Sequence, residues 1–95
     1  MKLVWTRPAA QDRRDIRAHI AQDNPAAALA LDELFSEKAA RLVDRPQMGR
    51  PGRVTGTREL VAHQNYILIY DLAGDTVRVL RVLHAARQWP PARQG

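Results

Sequence analysis

The feature that leaves this chain fewest options lies in its last third, where three strand-like runs follow one another with almost nothing between them. They are "RELVAH" at 58–63, "YILIYDL" at 66–72 and "TVRVLRVL" at 76–83. The joining pieces, "HQN" and "AGD", have the length of hairpin turns, and the second carries Gly-Asp, a turn dipeptide. A meander is the simplest connection of runs so close together. The middle run is apolar almost throughout, as expected of a strand covered on both faces. The last alternates in part and sets Arg78 and Arg81 on opposite faces, so that one could face helices and the other a cleft.

The first half reads differently. "KLVW" alternates and predicts a short strand at 2–5. Pro8 suits the first turn of a helix, and Ala9, Arg13, Ile16 and Ile20 recur at helical spacing among charged residues, which predicts an amphipathic helix over about 9–21. "DNP" at 23–25 is a break and a new start, with Asn24 as N-cap and Pro25 at the first helical position. The alanine-rich run that follows favours helix, its buried stripe marked by Leu31, Leu34, Phe35 and Leu42. It should end near Asp44, because Pro46 disfavours helical geometry at Arg45. "RPQMGRPGRVTGT" at 45–57 is a loop, with four arginines once Arg58 is added, and "PARQG" at 91–95 is a frayed tail. The order strand, helix, helix, strand, strand, strand predicts an α+β fold, with the helices packed on one face of an antiparallel sheet.

Ninety-five residues allow one domain with one core. Cysteine is absent, which removes disulfides, thiol nucleophiles and cysteine-based metal sites, and fits a reducing cytoplasm. No run is long and apolar enough to span a bilayer, so no membrane partner is expected. The net charge of +5 is unevenly placed. Residues 1–44 are neutral, whereas 45–95 set eight arginines against Glu59, Asp71 and Asp75. Arginine's planar fork suits phosphate and carboxylate, so the second half points to an anionic partner, nucleic acid or an acidic protein segment.

In this order and spacing, "WTRPAAQDRRDI", the proline-started second helix, "MGRPGR", "GTRELV", "YILIY" and "VLRVLHAARQW" resemble the RelE/ParE superfamily of bacterial toxins, over almost the whole chain. The resemblance implies the toxin half of a type II toxin–antitoxin module, a cytoplasmic protein neutralised by an acidic antitoxin in a hetero-oligomer. The antitoxin is expected to fold on the toxin by laying a helix or strand into an apolar groove rimmed by arginine. The superfamily holds two activities. RelE-like members are ribosome-dependent endoribonucleases that cut messenger RNA, and ParE-like members poison DNA gyrase.

Metal-free RNA cleavage needs a base for the 2′-hydroxyl, cations for the charge building on the phosphate, and an acid for the leaving oxygen. The catalytic candidates are Arg58, His84 and Arg87, with His63 a surface histidine at a turn. By resemblance, the nuclease branch carries a phosphate-contacting arginine three residues before the second tyrosine of "YILIY", where this chain has Ile67. It also places a tyrosine near the C-terminus, where this chain offers Trp89, whose indole stacks but has no titratable proton. These departures favour a ParE-like gyrase poison that needs no cofactor and no metal, with Arg50, Arg53, Arg58, Arg81, Arg87 and Trp89 as the surface for target or antitoxin. The alternatives are a RelE-like interferase acting on ribosome and messenger RNA, and a non-toxic nucleic-acid-binding module.

Overall fold

The computed structural model describes residues 1–86. In chain order the elements are β1 (Lys2–Trp5), α1 (Arg7–Ala21), α2 (Pro25–Asp44), β2 (Arg50–Pro51), β3 (Thr57–His63), β4 (Tyr66–Ala73) and β5 (Thr76–His84). Both helices start where their caps dictate. The Thr6 hydroxyl accepts from the Ala9 amide at the head of α1, and the Asn24 side chain accepts from the Ala27 amide at the head of α2. Each has proline in its first turn, where a missing N–H costs nothing. The first helix begins at Arg7, two residues before the start that its apolar spacing predicts, because Thr6 is the residue that caps it.

The strands form one sheet in the order β1-β5-β4-β3-β2. The meander is present, with β3, β4 and β5 antiparallel through the turns Gln64–Asn65 and Gly74–Asp75, the latter with Gly74 at φ 60°. Two features depart from the sequence reading. The sheet is mixed, because β1 joins the outer edge of β5 in parallel, pairing Leu3 with Val77 and Trp5 with Val79. The two edges of β4 are already taken by β3 and β5, so the open flank of β5 is where β1 can pair. The segment 45–57 is also more ordered than a loop, since Arg50 and Pro51 pair with Glu59 and Arg58 as β2.

The helices cover one sheet face, joining Ala9, Phe35 and Ala39 to Ala62, Leu68, Val79 and Val82, while Leu42 packs with Tyr70 and Val77. Phe35 and Leu42 lie on the buried stripe predicted for α2, whereas Leu31 and Leu34 are only half-buried, and Ala28 and Ala39 fill the remaining close contacts. Arg13 has an amphipathic place: its guanidinium lies 4.3 Å over the Trp5 ring and binds both Asp32 carboxylate oxygens at 2.9 and 3.0 Å. That contact ties the two helices and β1 together. The centre of β4, Leu68 to Tyr70, is fully buried, as its apolar run requires.

Candidate functional site

Three groups of polar side chains sit at different places on this frame. The first is the arginine-rich segment after α2, folded around a buried acid. Glu59 is 4% exposed, and its two oxygens accept from the Arg50 guanidinium at 3.1 Å and the Arg53 amide at 3.3 Å. Burying a carboxylate is costly unless it is paired and hydrogen-bonded, so this acid holds β2 and its following turn in one arrangement. Tyr70 holds the other end: its hydroxyl accepts from the Gly49 amide at 2.9 Å and donates to the Pro46 carbonyl at 2.8 Å. Burial raises the phenol's pKa above its usual value, against the lowering effect of the Gly49 amide and the Arg58 charge.

Gly49 has no room for a side chain. A Cβ there would lie 2.7 Å from the Tyr70 hydroxyl and 2.9 Å from the Glu59 carbonyl oxygen. Arg58 spans the same turn from β3, donating to the Gly49 carbonyl at 2.7 Å and the Gln47 carbonyl at 3.4 Å. Its guanidinium is therefore engaged in holding backbone. Arg50 keeps most of its side chain in solvent, and Arg41, Arg45 and Arg53 are exposed.

The second group surrounds the upper end of β5, where β1 has run out. The Thr6 hydroxyl donates to Val79 and Leu80 carbonyls at 2.9 and 3.1 Å, filling part of the bare edge. Asp12 fills the rest. It accepts from the Val82 amide at 2.9 Å and from Arg81 at 2.7 and 3.0 Å. Bonding to Asp12 raises the Arg81 pKa further, so the guanidinium stays charged throughout the usual range. A bulge between Val79 and Arg81 leaves Leu80 without a register partner and lets Arg81 reach α1. The expected division of Arg78 and Arg81 between helices and cleft thus takes another form, with both in ion pairs. Arg81 meets Asp12 on α1, and Arg78 meets Asp71 across the strand pair. Because of the bulge their register partners, Ile69 and Asp71, lie on one face of β4, so the two arginines are not divided between faces as the alternation predicts.

The third group is a cleft of about 320 Å³ lined by Asp12, Asp15, Ile16, His19, Tyr66, Val82 and His84. Tyr66 forms its floor, edge-on to His84 at 5.3 Å and to Phe35 at 5.6 Å between ring centres. His84 and His63 each use Nδ1 to accept a backbone amide two residues ahead, from Ala86 at 3.1 Å and Asn65 at 3.2 Å. Both cap turns.

Of the nuclease candidates, Arg58 and His84 are not brought together. Arg58 pairs with Tyr70 and His84 with Tyr66, which stand about 13 Å apart along β4 at roughly 3.3 Å per residue. Among the described residues the cleft beside His84 is lined by two carboxylates, Asp12 and Asp15, and two imidazoles, His19 and His84, and by no arginine. Ile67 lies opposite Val61 and Leu83 in the sheet. Arg87 and Trp89 lie outside the described residues. Among the described residues no group of three or more metal-ligating side chains converges, and no helix is long and apolar enough to cross a membrane. The sequence reading missed the organising roles of Asp12, Glu59, Tyr70 and Gly49. Only Glu59 left a signal, as a lone acid beside four arginines.

Three comparisons bear on this arrangement. Residues 3–89 match the model of the family described as ParE toxin of type II toxin-antitoxin system, parDE. The chain is 39% identical to Y4kP of Sinorhizobium fredii, covering 94% of this chain and 93% of that one. It is 36% identical to Toxin RelE2 of Caulobacter vibrioides, over 90% of this chain and 97% of that one. Among solved structures, a chain of the chromosomal ParDE TA system from P. aeruginosa superposes with a TM-score of 0.79 at 30% identity, covering 88% of this chain and 95% of that one.

Proposed function

This chain belongs to the ParE toxin family of type II toxin–antitoxin systems, and from that membership we propose that it arrests growth by poisoning DNA gyrase and is neutralised by a cognate acidic antitoxin. The observation that carries the choice of gyrase over messenger RNA is the separation of Arg58 from His84. Arg58 is bound to the Gln47 and Gly49 carbonyls at one end of the sheet, while His84 caps a turn beside Asp12 and Asp15 at the other. In-line attack on a phosphodiester needs base and cation on the same phosphate. This arrangement is better suited to contact than to cleavage. The contact surface is the arginine-rich second half, Arg50 and Arg53 foremost, with Arg87 and Trp89 contributed by the C-terminal end. Arg58 and Arg81 act within it by holding backbone and helix in place.

The antitoxin reading rests on the excess of arginine and on the ParDE likeness. An acidic segment that orders on the toxin would be steered toward it by this charge and would keep it from its target.

The test is direct. Purified chain is incubated with gyrase and supercoiled plasmid, and covalently held cleaved DNA is released by detergent and protease. Accumulation of linear DNA that antitoxin suppresses, with ribosome-bound messenger RNA left intact, is the expected result. Ribosome-dependent cuts that vanish in His84→Ala and Arg87→Ala, with gyrase unaffected, would overturn it.

A further inference from the structure

The charge of the described residues has a simple distribution. Between residues 41 and 59 five arginines face two acids, Asp44 and Glu59, and the rest of residues 1–86 carries equal numbers of each sign. Outside that segment the partly buried guanidiniums are matched: Arg13 with Asp32 and Arg81 with Asp12, and the more exposed Arg78 pairs with Asp71. Inside it, Glu59 is buried beneath the turn that it holds, which leaves Asp44, exposed beside Arg41 and Arg45, as the one outward acid against four outward arginines. Arg41, Arg45, Arg50 and Arg53 are all exposed, the first two where α2 ends and the others on β2 and its turn. Arg58, Tyr70 and Gly49 fix the backbone between them. Such a platform is charged before any partner arrives and has little backbone entropy to lose.

We propose that Arg41, Arg45, Arg50 and Arg53 form a preorganised phosphate-binding platform that grips the backbone of duplex DNA. Arginine forks match phosphate oxygens in pairs, and backbone contacts of this kind need neither a groove-reading helix nor a base-specific side chain. A single strand is a poorer fit, since such partners stack their bases on aromatic rings, and residues 41–59 contain no Phe, Tyr, Trp or His. An acidic peptide is also a poorer fit. The exposed large hydrophobic side chains of the segment are Met48 and Val54, too few to anchor a folding helix or strand. The choice of DNA over duplex RNA rests on the gyrase reading; the phosphate chemistry does not.

The measurement is fluorescence anisotropy of a labelled 20-base-pair duplex titrated with the full antitoxin-free chain at several salt concentrations. The expected result is binding without sequence preference, whose affinity falls linearly with salt on a double-logarithmic plot. Replacing Arg41, Arg45 and Arg53 together by alanine should reduce that slope by about 2–3, at roughly 0.9 per lost phosphate contact, and weaken binding about tenfold or more at low salt. All three are exposed, so the circular dichroism spectrum should be unchanged. A control with the same charge loss, Arg7, Arg14 and Arg17 to alanine on α1, should keep the slope. Equal loss in both triple variants would reduce the effect to net charge and overturn the proposal. So would tighter binding of duplex RNA, or loss of antitoxin binding in the platform variant with DNA binding intact. If gyrase poisoning fails but the slope behaves as stated, the platform stands and the target reading falls.

Discussion

Asp12 on α1 and Arg81 on β5 are 69 positions apart in the chain and meet through two hydrogen bonds of 2.7 and 3.0 Å, at the point where β1 stops covering the β5 edge. Asp12 also accepts the Val82 amide, so one carboxylate closes the bare strand edge and neutralises the arginine beside it. The pair is mostly buried, with 12% and 24% of the side chains exposed.

Asp12→Ala should therefore leave the Val82 amide without its acceptor and remove the two Asp12 bonds from the Arg81 guanidinium. A loss of about 1–3 kcal/mol is expected, for a buried amide left unsatisfied and a part-buried ion pair broken. Urea unfolding followed by circular dichroism should show a lower midpoint at unchanged slope. Asp12→Asn, which keeps an acceptor for Val82 but loses the charge, should fall between the two.

Tyr70 links stability to alkaline pH. Its folded pKa is raised, with burial the largest cause. A raised pKa means that the stabilisation is complete below the unfolded value near 10 and is lost as pH climbs through the folded value. Tyr70→Phe should lose the bonds to Gly49 and Pro46, costing about 1–3 kcal/mol at neutral pH. The difference between wild type and variant should then shrink above about pH 10. A constant difference across that range in paired urea titrations would contradict the assignment.

Gly49→Ala probes the same turn by bulk instead of bonding. The added methyl would lie 2.7 Å from the Tyr70 hydroxyl, and accommodating it should cost about 1–3 kcal/mol and displace the Arg50 turn. In thermal unfolding the Gly49→Ala, Tyr70→Phe double variant should lose less than the sum of the singles, because the Tyr70 hydroxyl takes part in both the bond and the clash, although the ring at 2.8 Å and the Glu59 carbonyl at 2.9 Å still crowd the methyl.

His84→Ala should leave growth arrest within about twofold of wild type on induction, since the imidazole accepts one turn amide and sits about 13 Å along the sheet from the level of Arg58. A general acid or base would contribute about a hundredfold or more to rate. Colony counts after induction, normalised to protein level, separate the two outcomes.

Much of the fold was legible because it is written locally. Asn24 followed by Pro25 starts α2, Pro46 limits its end, and Gly-Asp at 74–75 turns the meander, each through backbone preferences that act over a few residues. The strand β2 escaped notice because two residues carry no periodicity, and it exists through its pairing with Arg58 and Glu59.

The site was less legible for a related reason. The sequence showed that the second half holds excess arginine, and by resemblance Ile67 stands where the nuclease branch usually carries a phosphate-contacting arginine. It could not tell which arginines are committed to the protein itself. Arg58 is bound to the Gln47 and Gly49 carbonyls and Arg81 to a helix 69 positions away, while Arg50 and Arg53 are arranged around a buried Glu59. Composition and spacing alone determined every element but β2, the helical hairpin and the cationic character, because those depend on neighbours in the chain. Sheet order and the bulge at Leu80 decided which charges meet, because an arginine's partner is set by what lies within hydrogen-bond reach after folding.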